Sequence, residues 1–546
     1  MEFTNRMIAR KSLLVVIAQF LTRTLGWVGL VVLAKIWGAF APDALGVIGF
    51  ATAFIGVFYI IADLGFGQAH VKKISEGKDL GTCISTFFTI KIILTTIMAA
   101  VVILSLFILD NVLHQGFHDA TKQSVVFVFL LYYILMSIQQ IPSATFNGKG
   151  EIAKMQITSV FENIFKVPLI ILVAAAGVTT IGLAPFISWP TMLRPLQQFL
   201  ASHAIGSLAM AYVFGITATV VVGFWLLRRN PWKKPSFELG KSYLTFAIPI
   251  VLFSIISTIS TNIDKLLIGY FWTATEVGYY FSLQQILQII LIINVAFITV
   301  LFPVYSRYHT TNNFAKINEI TKTTERYISM VIVPPIVVII VFVNSVISIM
   351  LNSAFLPAAS TLVVLTVYAA LASFMAPYYS LLVGLNRPGI YAKIGLGISL
   401  INIVLDVLFI PQWGLLTPLG INGPTGAAVA LVISYFVGFF WIRLAAKKLT
   451  GIQLLQTHTP RHIVAGVGMG LILYFIAFQI NVFPTMHWYQ LILFVGLGLA
   501  IYVIILYALK EFTKTDLSFF VELLHPKKML QYIRSEVKEE DVSDKK

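Results

Sequence analysis

Long apolar runs separated by short polar turns set the pattern of this chain from residue 12 to residue 509. An α-helix rises 1.5 Å per residue, so about 20 apolar residues cross a bilayer. Windows of that kind predict about 14 helices, at 12–37, 44–69, 80–109, 122–141, 152–177, 204–227, 241–271, 276–305, 325–351, 358–383, 390–411, 424–446, 461–481 and 488–509. Several are long, which predicts tilt or ends that project beyond the bilayer. Two other stretches are amphipathic. Residues 187–201, with Trp189, Arg194 and Phe199, read as a short helix on the outer surface. Residues 513–534, mixing Phe, Leu and Lys, read as a helix on the inner leaflet, and the charged residues after them as disordered.

Composition points the same way. Of 546 residues, 58% are hydrophobic and 11% charged, against about 25% charged in soluble domains. The fold class expected is an all-α polytopic membrane protein. The net charge of +15 would point to nucleic acid in a soluble protein. Here its distribution explains it. Basic residues cluster at the N-terminus (Arg6, Arg10, Lys11) and then in alternate turns: Lys72, Lys73 and Lys78; Lys149 and Lys154; Arg228, Arg229, Lys233 and Lys234; Arg307, Lys316 and Lys322; Arg387 and Lys393; Arg443, Lys447 and Lys448. The opposite turns hold only Lys122 and Arg194. By the positive-inside rule both termini are cytoplasmic, the helix number is even, and the protein is multi-pass in the cell membrane. No nucleic-acid partner is expected.

Catalytic and cofactor chemistry finds little footing. The single cysteine, Cys83, excludes an intramolecular disulfide and a multi-cysteine metal site. His114 and His118, flanked by Asp110 and Asp119, have a metal-like spacing, but a solvated outer loop is the better reading, so no metal or cofactor is expected. No phosphate-cradling Walker motif is present, which excludes direct ATP drive within this chain.

Charges inside the spans carry the functional signal. Arg23 lies in the middle of 12–37, with Gln19 one turn before it and Trp27 one turn after. A guanidinium stays protonated, and placing it in hydrocarbon costs about 3 kcal/mol or more, so it faces protein or a wet cavity. Lys35, Lys91, Lys166 and Lys265 also fall within spans, as do Asp63, Glu162, Asp264 and Asp406. Arginine and lysine in a wet cavity can hold an anionic group that cannot cross hydrocarbon bare. Lys35 is near the outer end and can snorkel. Glu162 and Lys166 form an i, i+4 pair that neutralises itself or acts as a relay. Asp264 and Lys265 are neighbours pointing about 100° apart. Asp63, close to the cytoplasmic end, reads as a structural contact or gate. Polar stripes at helical spacing offer hydrogen bonds to a polar guest: Ser254, Ser257, Thr258 and Thr261; Gln284, Gln285 and Gln288; Ser399, Asn402 and Asp406. Small polar residues also serve as helix–helix glue. Pro168, Pro249, Pro334, Pro335 and Pro377 interrupt helix ladders and mark flexing points.

The chain also repeats itself. Asn147, Gly150, Ala153 and Lys154 match Asn386, Gly389, Ala392 and Lys393 in register, and the register continues to Asn163 and Asn402. Asp43-Ala-Leu-Gly46 echoes Thr275-Glu-Val-Gly278. Two lobes of six helices are expected, at 1–234 and 235–450, followed by two more helices at 451–510 and a cytoplasmic tail at 511–546. Transporters place substrate between such repeats. Glu162 and Lys166 align with Ile401 and Leu405, so the N-terminal half is expected to carry more of the polar site.

The run Leu25-Gly26, Gly46 and Asp63-Leu-Gly-Phe-Gly67-Gln-Ala-His70, with Phe246-Ala-Ile-Pro249, Asn262-Ile-Asp264-Lys265, Ile268-Gly269, Val277-Gly278-Tyr279-Tyr280 and Pro303, resembles the polysaccharide exporters of the multidrug/oligosaccharidyl-lipid/polysaccharide (MOP) superfamily. The resemblance covers roughly residues 10–450. It implies two bundles facing each other around a cavity that opens alternately to each side. It also implies a flippase for a polyprenyl-diphosphate-linked oligosaccharide, working without enzymatic chemistry, with H+ or Na+ as candidate coupling ions and other polysaccharide-assembly proteins as candidate partners. On that footing Arg23, Lys35, Lys91, Lys166 and Lys265 are candidates for the diphosphate. Glu162, Asp264, Asp406, Asp63, Gln19, Gln285, Gln288 and Asn402 are candidates for sugar contacts or coupling. The rivals are a drug or cation exporter of the same superfamily, which would need unpaired acids in its cavity, and a membrane polymerase or glycosyltransferase, which would need a sizeable catalytic loop.

Overall fold

Backbone amides inside hydrocarbon have no water to bond, so each spanning segment satisfies its own as a helix. The computed structural model describes residues 2–112, 120–454, 456–479, 486–513 and 516. Among these the β pairing is a single bridge, Val178 to Leu183. The helices in order are α1 (Glu2–Trp37), α2 (Ala41–Asp63), α3 (Phe66–Ser75), α4 (Leu80–Asn111), α5 (Ala120–Gly148), α6 (Ile152–Ala175), α7 (Arg194–Ser202), α8 (Ala204–Leu227), α9 (Phe237–Phe271), α10 (Ala274–Thr310), α11 (Phe314–Val341), α12 (Val343–Met350), α13 (Ala359–Gly384), α14 (Pro388–Phe409), α15 (Gly423–Thr450), α16 (His458–Tyr474) and α17 (Trp488–Ala508). Eleven stretches among the described residues are long and apolar enough to cross a membrane, and the first, Ile17–Ser75, contains more than one helix. Counting α1 and α2 separately and adding α9 and α10 brings the total to the 14 expected.

Three predicted spans differ in detail. The second ends at Asp63 instead of running to residue 69. Leu64 (φ 43°) and Gly65 (φ 74°) both take the left-handed conformation there and turn the chain into α3. The ninth begins at Phe314, capped by the Asn313 side chain, and breaks at Phe342 into α11 and α12. The thirteenth loosens into a π turn over Phe475–Gln479. The expected outer surface helix is shorter than predicted, Arg194–Ser202, and presents Leu196 and Phe199 outward. The expected inner-leaflet helix lies outside the described residues but for Thr513 and Asp516.

Packing repeats along the chain. In the first six spans α1 packs along α6, α6 along α8, α5 along α8, and α2 against α4 and α5. In the next six α9 packs along α14, α14 along α15, α13 along α15, and α10 against α11 and α13. Each contact of the first set thus has its counterpart in the second. The two sets meet chiefly where α2 lies along α10, with α1 also touching α10 and α2 touching α9. Glycines permit this close seam. A side-chain carbon on Gly46 would fall on the Ala274 carbonyl, and one on Gly278 on the Pro42 carbonyl. The sequence echo around Gly46 and Gly278 is therefore a physical juxtaposition. α9 touches both sets. Tyr243 meets His70 of α3 (3.0 Å), whereas Ser260 donates to Asn402 Oδ1 of α14 (3.0 Å). The pair α16–α17 packs onto α11.

Candidate functional site

Where α1, α6 and α10 converge they enclose a cavity of about 290 Å³ lined by Thr22, Arg23, Gly26, Trp27, Asn163, Lys166, Gln285 and Gln288. Thr22, Gly26 and the neighbouring Arg23 and Trp27 occupy successive turns of one face of α1, and Asn163 and Lys166 do the same on α6. Asn163 fixes the two helices together by donating from Nδ2 to the Thr22 carbonyl (2.9 Å). Arg23 reaches across to α10, where its Nη1 donates to the Gln288 side-chain Oε1 and to the Gln288 carbonyl (3.3 Å). Lys166 holds Glu162 at 2.9 Å, lies 4.9 Å from the Tyr212 ring centre, and shares Glu162 with the Tyr132 hydroxyl, which donates at 3.2 Å. Glu162 is thus neutralised within its own helix, whereas among the described residues the Arg23 charge is met by neutral amide oxygens.

The cavity also carries unspent hydrogen-bonding capacity. The Thr22 hydroxyl, the Trp27 Nε1–H and the Asn163 Oδ1 are buried and have no hydrogen-bond partner among the described residues. Buried polar atoms are normally paired. Two unpaired donors, the Thr22 hydroxyl and the Trp27 N–H, beside Arg23 and Lys166 suit an anionic guest, and the Asn163 oxygen can accept from a hydroxyl on it.

Other candidates lie elsewhere. Lys91, expected at this cavity, is wholly buried and turned away from it. Its ammonium donates to the Ala62 carbonyl (2.8 Å) and pairs with Asp63 Oδ1 (3.3 Å), bracing the corner between α2 and α3. Lys35 lies at the far end of α1 and donates to the Ser348 carbonyl of α12 (2.5 Å). Lys265 does not reach the cavity either. It curls back to the Thr261 carbonyl (2.9 Å) and to its neighbour Asp264 (3.4 Å), which the expected divergence of the two side chains did not foresee. Gln19 is not among the lining residues. Gln284, next to Gln285, points the other way and donates to Asp264 Oδ2 (3.4 Å).

A second polar cluster forms between α9, α10 and α14. Asp264, Asp406 and Asn402 are all buried there, with Asn402 taking the Ser260 hydroxyl. Both Asp406 oxygens and the Asn402 Nδ2 lack a partner among the described residues. Asn163 and Asn402, matched in the repeat, tie corresponding helix pairs, α6 to α1 and α14 to α9. His114, His118 and Asp119 lie outside the described residues. Asp110 accepts from Gln123 Nε2 (2.8 Å), and no group of three metal-ligating side chains occurs among the described residues. Thr22, Asn163 and the aromatic pair Tyr132 and Tyr212 escaped the sequence reading as site residues. For Asn163 the repeat register was the available signal.

The family described as "Polysaccharide biosynthesis protein" matches residues 8–309. The chain is 25% identical over 436 residues to the probable low-salt glycan biosynthesis flippase Agl15 of Haloferax volcanii, covering 79% of this chain and 81% of that one. Its fold is similar to the lipid II flippase MurJ in an inward closed conformation (TM-score 0.67, 17% identity, 90% of this chain and 97% of that one). It is also similar to an inward-facing multidrug resistance MATE family transporter of the MOP superfamily (TM-score 0.57, 14% identity, 80% and 99%).

Proposed function

This chain belongs to the polysaccharide biosynthesis protein family, and from that premise we propose that it is a flippase carrying a polyprenyl-diphosphate-linked oligosaccharide from the cytoplasmic to the outer leaflet. The observation that carries the reading is the cavity at the meeting of the two helix sets, where Arg23 and Lys166 converge beside unpaired polar atoms. A diphosphate entering there exchanges its hydration for the Arg23 fork, the Lys166 ammonium and the Trp27 and Thr22 donors. To bind, it displaces Gln288 from Arg23, which releases a bond between α1 and α10. Substrate binding and separation of the two sets are thereby coupled, as alternating access of two lobes requires. The glycan flippase named among the relatives supports the same class of cargo. A cationic-drug exporter fits less well, because the acid nearest the cavity, Glu162, is already paired with Lys166.

Asp264, Asp406 and Asn402 are the proposed coupling site. Both Asp406 oxygens, buried without a hydrogen-bond partner among the described residues, are the acceptors offered to a coupling H+ or Na+. Both termini are assigned to the cytoplasm of a cell-membrane protein that works with other polysaccharide-assembly proteins.

A leaflet-translocation assay with a fluorescent lipid-diphosphate-linked sugar in proteoliposomes tests the reading. Arg23→Ala is expected to lower the rate at least tenfold, and Arg23→Lys to restore part of it. Wild-type rates in both variants would remove Arg23 from the mechanism.

A further inference from the structure

A second cavity, of about 370 Å³, lies at the end of the bundle where the basic turns cluster, and the proposal above makes no use of it. It is built by the α2–α3 corner, α5 and the start of α6. From α5 come Gln140, Ser143, Ala144 and Asn147, spaced i, i+3, i+4 and i+7, so they form one continuous stripe along that helix. From the opposite side come Asp63 and the α3 residues Gly67 and Gln68. Its size lies within the roughly 300–1,000 Å³ of small-ligand sites.

The chemistry of this wall differs from that around Arg23. No lysine or arginine lines it. Asp63, the one acid on this wall, is already met by Lys91, which is wholly buried and also donates to the Ala62 carbonyl. What remains is three carboxamides, a hydroxyl and a charge-balanced carboxylate, with Val71, Ala144 and Met155 supplying an apolar face. Carboxamides donate and accept side by side, which matches vicinal hydroxyls, and the apolar face suits the C–H side of a pyranose ring. No cationic side chain on the wall itself is offered to an anion. The Gln140 Oε1 is buried without a hydrogen-bond partner among the described residues, an acceptor still unspent at the wall. Gly67 leaves the space open. A side-chain carbon there would sit 3.7 Å from the Gln140 carboxamide and 3.8 Å from Asp63 Oδ1, between the two groups and in ordinary contact with both.

We infer that this cavity is a saccharide site selective for uncharged sugars, separate from the diphosphate site. It rests on, and deepens, the reading of the chain as a glycan-lipid carrier. The sugar is either the head of the lipid-linked substrate waiting on the loading side or a free saccharide from the same compartment.

Saturation-transfer NMR on the purified full chain in detergent, with maltose, chitobiose and glucuronic acid as probes, tests it. The neutral disaccharides are expected to show saturation transfer, and glucuronic acid at least threefold less. Gln140→Leu should cut the signal at least threefold. Gly67→Ala should do the same by filling the space, and it is compatible with the fold because the added methyl meets nothing closer than van der Waals contact. Arg23→Gln should leave the signal unchanged. No transfer to either neutral disaccharide, an equal signal from glucuronic acid, or a signal that survives both Gln140→Leu and Gly67→Ala overturns the inference. So does a signal lost in Arg23→Gln alone. A second arm compares translocation of a glycosylated and a sugar-free lipid diphosphate. Slowing of only the glycosylated lipid by Gly67→Ala identifies the substrate head as the occupant, and equal rates identify a free saccharide. Failure of the Arg23 variants to affect translocation would defeat the diphosphate reading while leaving the NMR result standing.

Discussion

Arg23, Lys91 and Lys166 are all cations within spans, and their surroundings give them different tasks. Arg23 has no acid partner among the described residues and bridges two helix sets through amide oxygens. Lys166 shares an acid yet keeps its place on the cavity wall. Lys91 is sealed against Asp63 and a helix-end carbonyl. Replacing it by Met keeps the volume and leaves the carboxylate and the Ala62 carbonyl without their donor. That should destabilise the protein by about 1–3 kcal/mol, read as an earlier unfolding transition in detergent, and Lys91→Met combined with Asp63→Asn should regain part of the loss. If Lys91→Met melted like wild type but failed to transport, Lys91 would belong to the substrate path after all. The depth of each charge was legible in the sequence because apolar runs mark the bilayer. Its direction was not, because one residue of phase error rotates a side chain by about 100°. No acid lies within a turn of Arg23, which lines the cavity, whereas the long flexible side chain of Lys265 curls back along its own helix.

At the scale of elements, the seam between α2 and α10 decides how the two helix sets can move. The helices touch backbone to backbone at Gly46 and Gly278, with Pro42 and Ala274 carbonyls opposite. Such a contact opens or closes as a unit, because one added carbon already collides with main chain. Gly46→Ala is therefore expected to hold the seam apart. A cysteine placed at Thr275 should react faster with a membrane-impermeant maleimide in that variant than in an otherwise wild-type background. Equal labelling rates would show that the seam tolerates the methyl and is not a gate. The span positions behind this seam were legible to within a few residues, since length and hydropathy are properties of the run itself. The break after Asp63 was not. It depends on Leu64 taking a left-handed conformation that its side chain disfavours, at the corner from which α3 packs against α5 and α9.

For the whole molecule, the question is what holds the last two spans to the rest, since nothing in the repeated packing of α1–α15 requires them. Part of the answer is an ionic clasp just beyond α17. Arg326 of α11 donates to both oxygens of Asp516 (2.8 and 2.6 Å), the Tyr327 hydroxyl donates to the same carboxylate (3.2 Å), and Glu511 meets Arg461 and His458 of α16 (2.7 Å to the histidine). Beside it the buried pair Arg443–Glu325 (2.5 Å) joins α15 to α11. Burial works to raise the Glu511 and Asp516 carboxyls, but the hydrogen bonds from Arg461 and His458 to one, and from Arg326 and Thr513 to the other, outweigh it and hold both below the ordinary carboxylate range. A depressed carboxyl stabilises the folded state fully above its unfolded pKa, about 4, and loses that contribution as pH falls through the folded value. The wild-type melting transition should thus be nearly flat from pH 7 to pH 5 as far as these groups are concerned, and fall below about pH 4. A Glu511→Gln, Asp516→Asn double variant should melt earlier at pH 7, by about 2 kcal/mol or more of lost charge-assisted bonding. Its transition should depend less on pH in the acid range, so that the two curves converge. Parallel curves across that range would mean that the clasp contributes nothing to the fold and that α16 and α17 are retained by apolar packing on α11 alone.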